Sequence, residues 1–129
     1  LVELTDLFAT VREMVGGESE TTSGMDSFSF LPVLTGESDS ARPFSVHHSL
    51  QGMFALRKGD WKMIEGRGSG GFTRPRKMEG KKGSPPGQLY NLGSDPRETR
   101  NVWAEQLERV KEMSKLLDRI RDTSARDAL

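Results

Sequence analysis

Apolar residues at Leu4, Leu7, Phe8, Val11, Met14 and Val15 recur at helical spacing, which puts them on one face of a predicted first helix. Thr5 or Asp6 can cap its start, and Gly16-Gly17 ends it where a positive φ is wanted. A polar loop is predicted for Glu18 to Gly24. Asp26 to Gly36 then groups Phe28, Phe30, Leu31, Val33 and Leu34 around Pro32, as expected of a short docking turn with apolar anchors. After a loop from Glu37 to Arg42, Phe44 to Leu50 reads as a strand carrying His47 and His48. Two more β-prone runs, Met53–Leu56 and Trp61–Ile64, flank Arg57-Lys58-Gly59-Asp60, where Gly59 supplies the positive φ of a four-residue hairpin connection. Alternation pairs Phe54 with Leu56 on one face and Trp61 with Met63 on one face, so one side of the hairpin is apolar. Such a ribbon needs further cover, and Gln88 to Leu92 supplies another strand. Beyond an Asp95-Pro96 turn, where Glu98 and Asn101 enter the helix, Val102 to Thr123 forms the longest helix. Its buried stripe is predicted at Leu107, Val110, Leu117 and Ile120, with Met113 or Ser114 between. Arg126 to Leu129 should fray. The expected fold class is α+β: a small antiparallel sheet of about four strands packed by a long C-terminal helix.

Composition narrows this picture. The chain has 129 residues, 33% of them hydrophobic, and a mean hydropathy of −0.61, so its core is small and should lean on another surface. Nineteen basic residues balance nineteen acidic ones, and the absence of cysteine excludes disulfides, thiolate metal sites and a cysteine nucleophile. No apolar run approaches the roughly 20 residues of a membrane span, and no membrane partner is expected. The chain opens with Leu1, which reads as a cut rather than a natural start.

Charge is concentrated in one place. From Arg57 to Lys82 there are nine cations and three anions, a local excess of six, and most of the stretch is a Gly- and Pro-rich loop from Gly66 to Gly87. That loop is expected to be exposed and mobile, because it offers little apolar surface to offset ordering. Its field would draw sulfated or otherwise anionic polymers. Nucleic acid is not an expected partner, since Phe72 alone supplies the stacking surface a single-strand binder needs. Gly66, Gly68 and Gly71 satisfy G-x-G-x-x-G, but Phe72-Thr73-Arg74-Pro75 cannot start the helix a dinucleotide site requires. His47 and His48 are the residues best suited to acid–base or metal work, yet on a strand they point to opposite faces and cannot share one ion without a local irregularity.

Two segments, FALRKGDWKMIEG at Phe54–Gly66 and QLYNLGSDPRETRN at Gln88–Asn101, resemble together the C-terminal region of type I, formylglycine-dependent sulfatases, of the arylsulfatase family. There a hairpin written FALR-x-G-x-WK precedes a strand and turn written LYDL-x-x-DP-x-E-x-x-N. DLFATVREMVG at Asp6–Gly16 is similar to the helix leading out of that family's catalytic domain, and DSFSFLPVLTG at Asp26–Gly36 to its apolar docking turn. The resemblance runs from the first helix to about Trp103. It implies an alkaline-phosphatase-like parent, with residues 1–36 ending the catalytic domain and 37–129 forming a C-terminal subdomain that contains the 66–87 loop. It also implies hydrolysis of sulfate esters by a formylglycine nucleophile beside a Ca²⁺, on a sulfated small molecule or glycan, in a periplasmic or secreted parent.

The C/S-x-P-x-R nucleophile motif is absent: Ser94-Asp95-Pro96-Arg97 has Glu98 where the arginine belongs and is better read as a β-turn. No catalytic or metal-binding residue is therefore assigned in this chain, and neither formylglycine nor Ca²⁺ is expected within it. Its expected partner is the parent's own N-terminal catalytic domain, and alone it should be inert. Its role would be to complete the substrate cleft and stabilise the fold, with His47 or His48 as the substrate-binding candidates. The competing reading is a non-catalytic module that binds anionic glycans or a protein partner.

Overall fold

The computed structural model describes residues 1–17, 26–123 and 127. The polar loop expected at Glu18 to Gly24 lies outside the described residues, as does the fraying expected from Arg126 to Leu129 apart from Asp127. In chain order the elements are α1 (Asp6–Met14), α2 (Leu31–Leu34), β1 (Phe44–His48), β2 (Phe54–Lys58), β3 (Trp61–Ile64), β4 (Gln88–Asn91) and α3 (Leu107–Asp122). The strands form one sheet in the order β1-β2-β3-β4, with β2–β3 and β3–β4 antiparallel. The chain divides into two compact units, Leu1–Ser45 with Asp118–Leu129, and Val46–Leu117, so the division falls within β1 and within α3.

In the first unit α1 is turned differently from its pattern. Leu4 (83% exposed), Leu7, Phe8, Val11, Met14 and Val15 (77%) all remain on the surface, while Asp6 and Thr10 are buried. Polar groups go inward because they are fully used. The Asp6 carboxylate accepts the Glu3 and Phe28 amides at 2.7 and 3.0 Å, and the Thr10 hydroxyl donates to the Asp6 carbonyl and accepts the Phe30 amide. Asp6 therefore caps the turn before the helix and the start of the docking turn, and Thr5 makes no side-chain cap. Burial raises the Asp6 pKa, and the Phe28 amide works against that rise. Arg42, also buried, pairs with Glu3, lies 3.6 Å from Asp6 Oδ1 and stacks 4.8 Å from the Phe28 ring centre.

In the second unit the hairpin is tighter than expected. Lys58 pairs with Trp61, so β2 runs on to Lys58 and only Gly59-Asp60 turns the chain, Gly59 at φ 57°. Leu56 faces Met63, and Met63 faces Leu89 on β4; all three are 0% exposed, each such burial contributing about 1.5–3 kcal/mol. The helix α3 covers this face: Ser114 Oγ lies 3.6 Å from the Met63 sulfur, and the Arg109 guanidinium sits 4.6 Å from the centre of the half-buried Trp61 ring. The buried stripe of α3 is Val110, Met113, Leu116 and Leu117; Leu107 is exposed and Ile120 only half-buried.

The helix also begins later than its periodicity suggested. Asn101 Oδ1 accepts the amides of Leu89 and Trp103, its Nδ2 donates to the Gly87 carbonyl, and the Val102 amide donates to the Leu89 carbonyl. Residues 101–103 are thereby bound to β4 instead of winding into the helix, and neither Glu98 nor Asn101 enters it.

Candidate functional site

The sheet face opposite the Leu56–Met63–Leu89 core carries a polar cluster, Lys62, Gln88 and Tyr90, beside Ala55 and Ile64. Alternation places Lys62 and Tyr90 there as cross-strand partners, since Trp61 and Met63 point the other way. Lys62 Nζ donates to Glu98 Oε1 at 2.6 Å, with both side chains largely enclosed. Glu98 reaches this position at φ 56°, in the left-handed region that few non-glycine residues occupy. The turn before it is built to hold that geometry: the Asp95 carboxylate accepts the Thr99 hydroxyl and the Arg100 amide, both at 2.9 Å. The backbone hydrogen bonds from Arg100 and Thr99 draw the Asp95 pKa below the usual carboxylate range.

Tyr90 is buried, and its hydroxyl donates to Gln88 Oε1 at 2.8 Å. The Gln88 amide nitrogen in turn donates to the carbonyls of Gly66 and Gly68 at 2.9 and 3.0 Å, which fixes the side chain. Burial, then the negative charges of Glu98 and Asp95, raise the Tyr90 pKa, so the phenol stays protonated.

The two histidines separate as their alternation predicts. His48 packs against Phe54, ring centres 5.9 Å apart, on the face that carries Leu56, and its Nδ1 is 3.0 Å from the Ser49 carbonyl. His47 falls within electrostatic reach of Lys62 and Glu98. Partial desolvation lowers its pKa, Lys62 lowers it further, and Glu98 opposes them, so His47 favours the neutral form in which one ring nitrogen donates and the other accepts. Lys62, Tyr90 and Glu98 were not assigned to the site from the sequence, although all three fall at the motif positions that carry the family resemblance, and Lys62 and Tyr90 alternate with core residues. Among the described residues no group of three His, Cys, Asp or Glu could hold a metal ion, and His47 and His48 do not form one. The residues described do not fit a Ca²⁺ site.

The chain and its fold have counterparts among known proteins. No family model matches the chain. It is 32% identical over 116 residues to an N-acetylgalactosamine-6-O-sulfatase of Bacteroides thetaiotaomicron, covering 90% of this chain and 22% of that protein. A solved structure from the metabolism of multiple glycosaminoglycans by Bacteroides thetaiotaomicron, labelled a 6S-sulf protein, superimposes with a TM-score of 0.72 at 30% identity, over 91% of this chain and 24% of that one. A second, solved in complex with its substrate D-glucosamine-2-N,6-O-disulfate, shares the fold with a TM-score of 0.62 at 22% identity, over 94% of this chain and 25% of that one. The chain is a sulfatase homologue and matches the C-terminal portion of that family. It spans about a fifth of the curated relative's length.

Proposed function

We propose that this chain is the C-terminal part of an enzyme that hydrolyses sulfate esters on a sulfated hexosamine or glycan, and that His47 contacts the substrate. The observation that carries the reading is the match in sequence and fold, across nine-tenths of the chain, to proteins described as sulfatases. The substrate class follows from those relatives: one is an N-acetylgalactosamine-6-O-sulfatase and another was solved with a disulfated glucosamine. His47 is favoured over His48 because it shares the polar face with Lys62 and Glu98, whereas His48 packs on Phe54. An imidazole there can donate a hydrogen bond to a sugar or sulfate oxygen, with Lys62 adding positive potential.

The nucleophile and metal are supplied, on this reading, by the rest of the parent as formylglycine and Ca²⁺. The chain alone is inert: incubated with an aryl sulfate and Ca²⁺, it should show no turnover above a buffer blank. The exposed stripe Leu4, Leu7, Phe8, Val11, Met14 and Val15 supports packing of α1 against that catalytic domain, since so many apolar side chains aligned in the open mark a contact surface. In the full-length parent, His47→Ala should lower kcat/KM on a sulfated hexosamine by about 1–3 kcal/mol of transition-state binding, with a smaller loss on an aryl sulfate. His48→Ala should leave both substrates near wild type. Equal kinetics for wild type and His47→Ala on the hexosamine would remove His47 from substrate binding, and a parent without sulfatase activity would overturn the reading itself.

A further inference from the structure

The Gly66–Gly87 loop has no regular secondary structure, yet it encloses space with defined walls. A cavity of about 350 Å³ lies between it and the β4 strand, lined by Arg67, Glu79, Lys81, Gln88, Tyr90 and Asn101. Several of those groups are already fixed. Arg67 donates from Nε to the Pro85 carbonyl and from Nη2 to the Ser84 carbonyl, at 2.5 and 2.7 Å. Gln88 is held by two glycine carbonyls, and the Asn101 amide by Gly87. A Cβ at position 80 would collide with the Arg67 guanidinium, so Gly80 is what lets that group occupy this wall.

The unspent groups define the ligand. Lys81 is exposed and has no ion-pair partner among the described residues, which leaves its ammonium for an oxyanion, while the equally unpaired Glu79 carboxylate on the same lining accepts from a ligand hydroxyl and must stand clear of the oxyanion. The Tyr90 hydroxyl spends its proton on Gln88, so its oxygen remains an acceptor for a ligand hydroxyl. Met78 and Pro85 add apolar surface suited to the C–H face of a sugar ring. A free sulfate would use only the lysine and leave most of the volume unfilled. A second cavity, about 510 Å³, shares Arg67 and Met78 as a wall and adds Lys77, as a ligand with repeating anionic units would need.

We infer that the cavity bounded by Arg67, Lys81, Gln88 and Tyr90 is a saccharide subsite that takes an anionic sugar unit of a glycan, with Lys81 on its sulfate or carboxylate. The identity of the glycan rests on the sulfatase reading above; the site itself rests on the cavity and its donors.

The test is calorimetric titration of the full chain with a sulfated glycosaminoglycan tetrasaccharide and with its desulfated form, which keeps its uronate carboxylates. Lys81→Ala should weaken binding of the sulfated form about fivefold, the loss of one exposed charged contact. Gly80→Leu, which displaces Arg67 and fills the cavity, should abolish it. Lys82→Ala, next in sequence but outside the cavity lining, should bind as wild type. A desulfated ligand that binds equally, with the same Lys81 dependence, assigns the oxyanion to the carboxylate; one that does not assigns it to the sulfate. No binding by wild type, unchanged binding by Lys81→Ala and Gly80→Leu, or an equal loss in Lys82→Ala would overturn the subsite, the last by showing only a diffuse cationic field. Because turnover is not read, a parent lacking sulfatase activity would sink the functional reading and leave this measurement standing. An active parent with Lys81-independent binding would do the reverse.

Discussion

Asn101→Ala should be among the most damaging single changes in the second unit, although the residue itself is exposed. Three side-chain hydrogen bonds disappear: from the Leu89 amide at 3.0 Å, from the Trp103 amide at 3.0 Å, and to the Gly87 carbonyl at 3.1 Å. Each is worth about 1 kcal/mol net, and the Leu89 amide, on a residue with no exposed surface, has poor access to water once its acceptor is gone. The expected loss is about 3–4 kcal/mol, or roughly 10–15 °C in Tm for a chain of this size. Thermal melting by circular dichroism gives the total, and hydrogen exchange at the Leu89 amide locates it. Asn101→Asp separates the contributions, because it keeps the Oδ1 acceptor but sets a carboxylate oxygen against the Gly87 carbonyl. It should therefore keep the two amide contacts and lose only the one to Gly87, melting between wild type and Asn101→Ala. A Tm for Asn101→Ala within about 3 °C of wild type, with the Leu89 amide still protected, would refute the view that this side chain fastens residues 101–103 to β4.

Trp61→Ala should cost about 3 kcal/mol, the low end for a buried tryptophan because this ring is only half-buried and is covered by Arg109; denaturant melts check this, and an unchanged midpoint would show that the ring does not hold the hairpin to α3. His47 should titrate below its ordinary value of 6.5 in an NMR pH series. Lys62→Met should move that midpoint up and Glu98→Gln should move it down. Because the folded pKa is lowered, the contribution of His47 to stability is full above the unfolded value of 6.5 and declines as pH falls from there towards the folded pKa. Shifts of the opposite sign in either variant would remove His47 from the Lys62–Glu98 pair.

What the sequence made legible was whatever depended on alternation and local turns. The hairpin, its apolar face and a further strand at Gln88–Leu92 follow from period-two patterning with Gly59 at the turn, but the register that sets Leu56 against Met63 does not, because β2 runs on through Arg57 and Lys58 to a two-residue turn. The separation of His47 from His48 follows from the same alternation. Less legible were features in which a side chain outcompetes a periodic pattern. Val102 to Gln106 look helical by sequence, but Asn101 takes the Leu89 amide and keeps them out of α3. The first helix buries Asp6 and Thr10 because their hydrogen bonds are satisfied across to Phe28 and Phe30, contacts no spacing rule announces. The choice of His47 needed Lys62 and Glu98, which lie 36 positions apart and meet only through the sheet and a strained turn.

That turn sets two demands against each other at Glu98. Backbone geometry at φ 56° favours glycine or asparagine, and a glutamate there carries a conformational penalty of about 1 kcal/mol. Of these three, however, only glutamate delivers a carboxylate to Lys62. A library randomised at this one position and sorted on thermal resistance alone would drift towards glycine or asparagine. The same library sorted on the electrostatic environment of His47 would return to the native glutamate. The divergence between those two selections would measure how much stability the Glu98 backbone costs against the charge it sets beside Lys62.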